Sequence, residues 1–230
     1  MILVLTGGIG SGKSTAARIL NESFGCPVYD ADSAVKRLYV SHPHLLSDIE
    51  SDVGRKFTDA DGVFRPSLMA DWIFGNPDAI AEVENRVFPV LLEDFESWKV
   101  QYEGWVIFES ATILEKPFFK GFGDAVLIID APIELRVERA LARDKAGREK
   151  IMARVAEQRL MNDISQGRNI PEGAYVCRND GNMDALRNEL KEIFETIINK
   201  RRKQILQGFY RFQARAVCIT TFHRQETVLL

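Results

Sequence analysis

The sequence predicts an α/β fold, a three-layer α/β/α core around a five-stranded parallel sheet. Three observations carry it. Short continuous apolar runs recur along the chain, helical patterns separate them, and the first run passes straight into a glycine-rich turn and a helix. Strands buried on both faces read as unbroken apolar runs, and strand–helix alternation is the signature of parallel pairing.

The first run, "ILVLT" at 2–6, is a central strand ended by glycines. "KSTAARILNESF" follows, with Ala16, Ala17, Leu20 and Phe24 at helical spacing and Gly25 as its stop. "CPVYDAD" holds a second short strand that ends in acids. "WVIFE" at 105–109 and "DAVLIID" at 124–130 supply the third and fourth strands, and "AYVCRND" at 174–180 the fifth. The last clear helix, "NMDALRNELKEIFETIINKRRKQI", turns Leu186, Leu190, Ile193, Ile197 and Ile198 inward.

Two regions break the alternation. Residues 33–103 contain no core strand, far more chain than a crossover needs. In them, Asn76 caps a helix with Pro77 at its first position and Ile80, Val83, Val87, Leu91, Phe95 and Trp98 on one face. Pro89 is expected to kink or split it. This region reads as a helical cap, a second binding wall. Residues 139–168 are dense in arginine and carry Gly147 and Gly167 near their ends, which suits a mobile lid. The core is then 1–32, 104–138 and 169–200, with 201–230 as an extension. Six basic residues and no acid fall in 200–215, read as a solvated tail or helix end.

Bulk composition narrows the function. At 46% apolar residues the 230-residue chain can bury a sizeable core, and a formal charge of −3 gives no general field for nucleic acid. Three cysteines, Cys26, Cys177 and Cys218, are too far apart for a metal-type pair and suit a reducing compartment. No signal or spanning segment is visible, so the expectation is a cytoplasmic protein with no membrane or nucleic-acid partner, a monomer or weak homo-oligomer. His42, His44 and His223 lack the spacing of a metal site and read as surface residues. The aromatic stretch "PFFKGFGD" reads as packing or a turn rather than a stacking site for a base.

The chemistry begins with Gly7-x-x-x-x-Gly12-Lys13-Ser14, a phosphate-binding loop between strand and helix. Its glycines let successive N–H groups curl inward on an anion, and the helix adds its positive end. Lys13 bridges outer phosphates, Ser14 offers a hydroxyl to Mg²⁺, and Thr15 reaches an inner phosphate. Asp30 and Asp32 follow the second strand, on the carboxyl edge where open α/β sheets bind ligands. One of the two caps the next helix; the other is free to take a proton from an attacking hydroxyl. Glu109 ends the third strand, placed to order the waters of Mg²⁺. Arg136, Arg139 and Arg143 follow helical spacing, with Arg154 and Arg159 beyond, where phosphoryl transfer wants positive charge.

The order "TGGIGSGKST", "VYDAD", "ESATILE", "DAPIELRVERALARD" with "ARVAEQ", and "CRNDG" resembles the dephospho-CoA kinase family over about residues 1–198. That resemblance implies a P-loop kinase core, a helical CoA-binding domain and a lid. It implies ATP-dependent phosphorylation of the 3′-hydroxyl of dephospho-CoA, the last step to coenzyme A, with Mg²⁺. Carried over by motif, Gly8, Gly10, Ser11, Gly12, Lys13, Ser14 and Thr15 hold ATP and Asp32 is the base. Arg139 and Arg143 lie at the lid, with Arg143 also on ATP, and Asn179 sits near the adenine. Ser14 and Glu109 serve the metal, the latter through water, and Arg86, Glu115 and Arg154 join Asp32 around the acceptor. Two departures stand out. Phe88 replaces a histidine before Pro89, with Leu91 and Leu92 where an arginine is expected, and Glu109 replaces an aspartate. The residues alone leave open a kinase for another nucleoside or nucleotide, and a nucleotide-binding scaffold that does not catalyse.

Overall fold

The computed structural model describes the backbone of residues 1–42, 44–144 and 147–226, and side chains as far as residue 207. Cys218 and His223 lie outside the described side chains. Strands β1 (Ile2–Thr6), β2 (Val28–Asp30), β3 (Val106–Glu109), β4 (Ala125–Asp130) and β5 (Tyr175–Arg178) form one sheet in the order β2-β3-β1-β4-β5, every pair parallel. Leu5 pairs with Glu109 and Leu127, and Asp30 with Glu109, so Thr6, Asp30, Glu109 and Asp130 end on one carboxyl edge. The strands β1 and β3 are almost wholly buried, as their unbroken apolar runs require.

Helix α1 (Lys13–Phe24) packs one face of the sheet beside α9 (Met183–Glu226). Ile19, Leu20, Leu186, Leu190 and Phe194 close over Leu3, Leu5, Ile107 and Leu127. Gly25 ends α1 with φ 65°, and its N–H bonds to Asn21 O. The backbone of α9 stays helical through Glu226, and Arg201 pairs with Asp124.

The other face is covered by the inserted helices α2 (Ala31–Ser41), α3 (Leu45–Val53), α4 (Pro66–Ile73) and α5 (Pro77–Lys99). Asn76 caps α5 through Ala79 N, as its sequence predicts. Val83, Val87, Leu91 and Phe95 are buried in one cluster with Val4, Tyr29 and Phe108 of the sheet. Leu38, Ile49, Phe57 and Met69 belong to the same cluster, so the insertion and the sheet share one core. Phe119 and Phe122 also pack there, with rings at 4.9 Å for Phe108–Phe122, which makes the aromatic stretch a packing element. Pro89 removes one helical hydrogen bond but does not divide α5, which runs 23 residues. Its site is exposed, while Val87 and Leu91 on either side are buried and hold the two halves in line. Within the insertion, burial pushes the Glu50 carboxyl up, but Lys56 Nζ at 2.8 Å and Phe57 N at 2.7 Å bring it below the usual range.

Beyond β4, α6 (Ile133–Arg143), α7 (Arg148–Glu157) and α8 (Arg159–Ser165) follow. Ile151 and Val155 of α7 bury against Val137 and Ala140 of α6. Met161 and Ile164 of α8 bury instead against Ile128 of the sheet. The arginine-rich region is thus two pieces, with Gln158 the residue between them. Among the described residues, no helix is long and apolar enough to cross a membrane.

Candidate active site

The loop between β1 and α1 curls because its glycines sit where a side chain has no room. Gly10 has φ +73°, and a Cβ there would come within 2.0 Å of the Arg136 carbonyl oxygen. A Cβ on Gly8 would strike the guanidinium of Arg136 at 2.0 Å. Ser11 is buried and its Oγ has no hydrogen-bond partner among the described residues. Lys13 opens α1, half-buried, with Ser14 and Thr15 on the first turn, so the loop amides and the helix N-terminus converge.

Ser14 Oγ donates to Glu109 Oε1 at 2.9 Å, which joins the loop to the end of β3. Burial pushes the Glu109 carboxyl up; Ser14 and Lys13 pull it down, and the charges of Asp30 and Asp32 push it up again. Those interactions place Lys13, Ser14, Glu109, Asp30 and Asp32 in one neighbourhood. Asp30 is the cap: its Oδ1 accepts from Ser33 N at 3.0 Å and its Oδ2 from Ser33 Oγ at 2.6 Å. Asp32 is exposed, loosely held by Ala111 N at 3.3 Å and Ser110 Oγ at 3.5 Å. It lines a cavity of about 280 Å³ with Val35, Lys36, Glu84, Phe88, Phe108 and Lys116. Phe88 is packed there on Phe118 and Phe119, so this wall is aromatic. Lys116 pairs with Glu84 across it.

Arg139 Nη1 donates to Asn179 O at 2.9 Å. Arg143 and Arg154 both face Asp144, at 2.7 and 3.6 Å, with much of each side chain in solvent. Asn179, expected near an adenine, is buried and donates from Nδ2 to Ser11 O at 2.8 Å, bracing the loop from behind. Arg86 does not line the Asp32 cavity; it pairs with Asp52 of α3 at 2.6 Å. Glu115 lies in an adjoining crevice with Lys120, Asp124 and Glu172, which shares Ile113, Lys116 and Phe119 with the Asp32 cavity. No three His, Cys, Asp or Glu side chains among the described residues come together as a candidate metal cluster.

Arg136 shares the helical spacing of Arg139 and Arg143, from which its sequence predicts a cation for the transferring phosphate, but it is committed elsewhere. Arg136 is 1% exposed. Its Nε donates to Ile9 O at 3.1 Å, its Nη2 to Gln158 Oε1 at 3.1 Å and its Nη1 to Asn162 Oδ1 at 3.4 Å. Gln158 Oε1 also accepts from Ile9 N at 2.8 Å. The junction of α7 and α8 is therefore fastened to the crest of the loop. The signal for this was faint: Arg136 abuts the buried pair Val137 and Ala140, and Gln158 ends "ARVAEQ", but only tertiary structure shows what they hold. Replacing Arg136 by Met leaves Ile9 O and Gln158 Oε1 without that donor and should lower stability by about 1–3 kcal/mol. A thermal melt checks this, with the Michaelis constant for ATP rising in parallel.

A phosphate-binding loop on the carboxyl edge of a parallel sheet, beside an exposed carboxylate that lines a neighbouring cavity, defines a P-loop phosphoryl-transfer enzyme. Residues 1–185 match the family model described as dephospho-CoA kinase. The chain belongs to the dephospho-CoA kinase family. It is similar to a dephospho-CoA kinase of Deinococcus radiodurans, 34% identical over 192 residues, 82% of this chain and 88% of the relative. A dephospho-CoA kinase of Bacteroides fragilis is 33% identical over 179 residues, 77% of this chain and 83% of the relative. Among solved structures, a Thermus thermophilus protein superposes with a TM-score of 0.71 at 27% identity, covering 85% of this chain and 97% of its own. Dephospho-CoA kinase from Campylobacter jejuni shares the fold, with a TM-score of 0.56 at 21% identity over 87% and 98% of the two chains.

Proposed function

We propose that this chain transfers the γ-phosphoryl group of ATP to the ribose 3′-hydroxyl of dephospho-CoA, giving coenzyme A and ADP. The observation that carries the reading is the exposed, loosely held Asp32 carboxylate lining the cavity, near the Ser14–Glu109 pair of the phosphate loop. Family membership supplies the acceptor.

In this reading the loop amides and Lys13 hold the transferring phosphate. Asp32 orients the 3′-hydroxyl and accepts its proton as the oxygen attacks γ-phosphorus and the bond to ADP breaks. Asn179 keeps the loop in shape through Ser11 O. Arg139, and Arg143 and Arg154 once released from Asp144, bring charge to the spreading negative transition state. Arg86 would have to leave Asp52 to reach the acceptor, and Glu115 would meet it from the crevice that adjoins the Asp32 cavity at Lys116.

The residues present fit Mg²⁺. Ser14 Oγ already meets the Glu109 carboxylate, and one hydroxyl with a carboxylate behind it suits an ion that keeps several waters and binds chiefly to phosphate. Ser14 would hold it directly and Glu109 through water; when bound it neutralises phosphate charge. Buried, unpaired Cys26 and Cys177 suit the cytoplasm, where the enzyme would act on small molecules as a monomer or weak homo-oligomer.

The test is ADP release by the full chain with ATP and Mg²⁺, comparing dephospho-CoA with AMP, dCMP and adenosine. Turnover with dephospho-CoA should exceed the others at least about tenfold in kcat/KM, since only it fills the whole site. Preference for another acceptor would move the assignment to that nucleotide, and ATP binding without transfer to any would leave a scaffold.

A further inference from the structure

At the crest of the phosphate loop, neighbouring N–H groups go to different places. Ile9 N donates to Gln158 Oε1 at 2.8 Å. Ser11 N donates back to Gly8 O at 3.0 Å. Gly10 N, between them, has no acceptor among the described residues. Its direction is set by its own peptide. The Ile9–Gly10 peptide is trans and planar, so Gly10 N–H and Ile9 C=O point opposite ways. Ile9 O is held from the α6 side by Arg136 Nε at 3.1 Å. Gly10 N–H is therefore turned away from α6, toward the space the loop encloses.

Nothing in the loop itself keeps the peptide that way round. Half a turn would exchange the two groups and set a carbonyl oxygen against the bound anion. Gly10 does not resist it: the turn takes its φ from +73° to a negative value, and glycine populates both signs. The resistance comes from the clamp. Buried Arg136 is kept on Ile9 O by Gln158 Oε1 and Asn162 Oδ1, which accept from its Nη2 and Nη1. One Gln158 oxygen thus takes the Ile9 N–H and also steadies the arginine that holds Ile9 O. Gln158 is the residue where α7 passes into α8, four positions after Arg154. Ile9 packs with Val137, Ile151 and Val155 in the α6–α7 cluster. The seating of α7 on α6 therefore places the Gln158 oxygen, and that oxygen places the loop amide.

We propose that Gln158 is a positioning residue for phosphoryl transfer: its Oε1 keeps the Ile9–Gly10 peptide turned so that Gly10 N–H meets the transferring phosphoryl group. The inference rests on the transfer reaction proposed above, though not on which acceptor takes the group. A fixed donor contributes most where negative charge spreads in the transition state. The phosphates that ADP keeps have the amides of the first turn of α1, Lys13 to Thr15, so ADP depends on the crest least.

The experiment uses the full chain and three variants. Gln158→Met keeps the bulk and removes the oxygen, Gln158→Asn withdraws it by one methylene, and Gln158→Glu retains it. A melt of each verifies folding. ADP and a non-hydrolysable ATP analogue, each with Mg²⁺, are titrated by calorimetry, and single-turnover transfer to dephospho-CoA is followed at saturating ATP. The Met and Asn variants should slow transfer about 10²-fold and weaken the analogue about tenfold, while ADP stays within about twofold. Gln158→Glu should transfer within about threefold of wild type, because a carboxylate oxygen accepts the same two N–H groups. Transfer near the wild-type rate in a folded Met or Asn variant would overturn the positioning role. So would equal weakening of ADP and the analogue, the mark of a loop that has merely loosened, or a Glu variant as slow as the Met variant. Failure of the wild type to phosphorylate dephospho-CoA would remove the acceptor instead, and the two titrations would still decide the part played by Gln158.

Discussion

Replacing Lys13 by Ala should lower kcat about 10³-fold or more while the protein stays folded. Lys13 is the first residue of α1, half-buried, with its charge felt at Glu109. No other lysine lies in the loop or its helix, since the chain from 7 to 24 contains only this one. The loop amides and helix end would still bind phosphate, so affinity for ATP should fall much less than turnover. That split identifies a group whose interaction strengthens as charge moves toward the leaving oxygen. Single-turnover rates alongside ATP titration measure it, and a variant within about tenfold of wild type in kcat would show that Lys13 is not at the transferring phosphate.

The loop was legible because every constraint on it is local. Gly10 and Gly12 are forced by positive φ, Lys13 and Ser14 by the helix that starts on them, and β1 by an unbroken apolar run. Strand–helix alternation likewise predicts the parallel sheet, because each buried strand announces itself in a few residues. What lay beyond reach depended on contacts between distant segments. The inserted helices read as a separate wall, yet Leu38, Phe57 and Phe95 bury with Val4 and Phe108 of the sheet. Nothing in the spacing of α5 says which surface its apolar face meets. The arginines show the same limit: Arg136, Arg139 and Arg143 share one spacing, but one is buried in the loop clamp, one holds Asn179 O and one lies in solvent beside Asp144. Arg86 was the cation nearest in sequence to Phe88, whereas the cations on the cavity come from α2 and from the segment after β3.

The two aspartates after β2 are separable by experiment, because the structure gives them different work. Asp32→Asn should leave ATP binding and the melting temperature near wild type and lower transfer by about 10²- to 10⁴-fold, the usual range for a positioned base. The amide keeps the shape and can still accept from Ala111 N, but it cannot take the hydroxyl proton. Asp30→Ala should do the reverse. It removes the oxygens that accept from Ser33 N and Ser33 Oγ, and should lower stability by about 1 kcal/mol with kcat changed only a few-fold. The pair is informative because both carboxylates lie near Glu109 and both contribute to its upward shift, so proximity to the phosphate loop does not distinguish them. Commitment does: Asp30 is held by two bonds of 3.0 Å or shorter, Asp32 by two of 3.3 Å or longer. A carboxylate already capping a helix would give up those bonds to turn toward a substrate. Near-normal turnover in Asp32→Asn together with loss of turnover in Asp30→Ala would transfer the base to Asp30 and require α2 to unwind its first turn during catalysis.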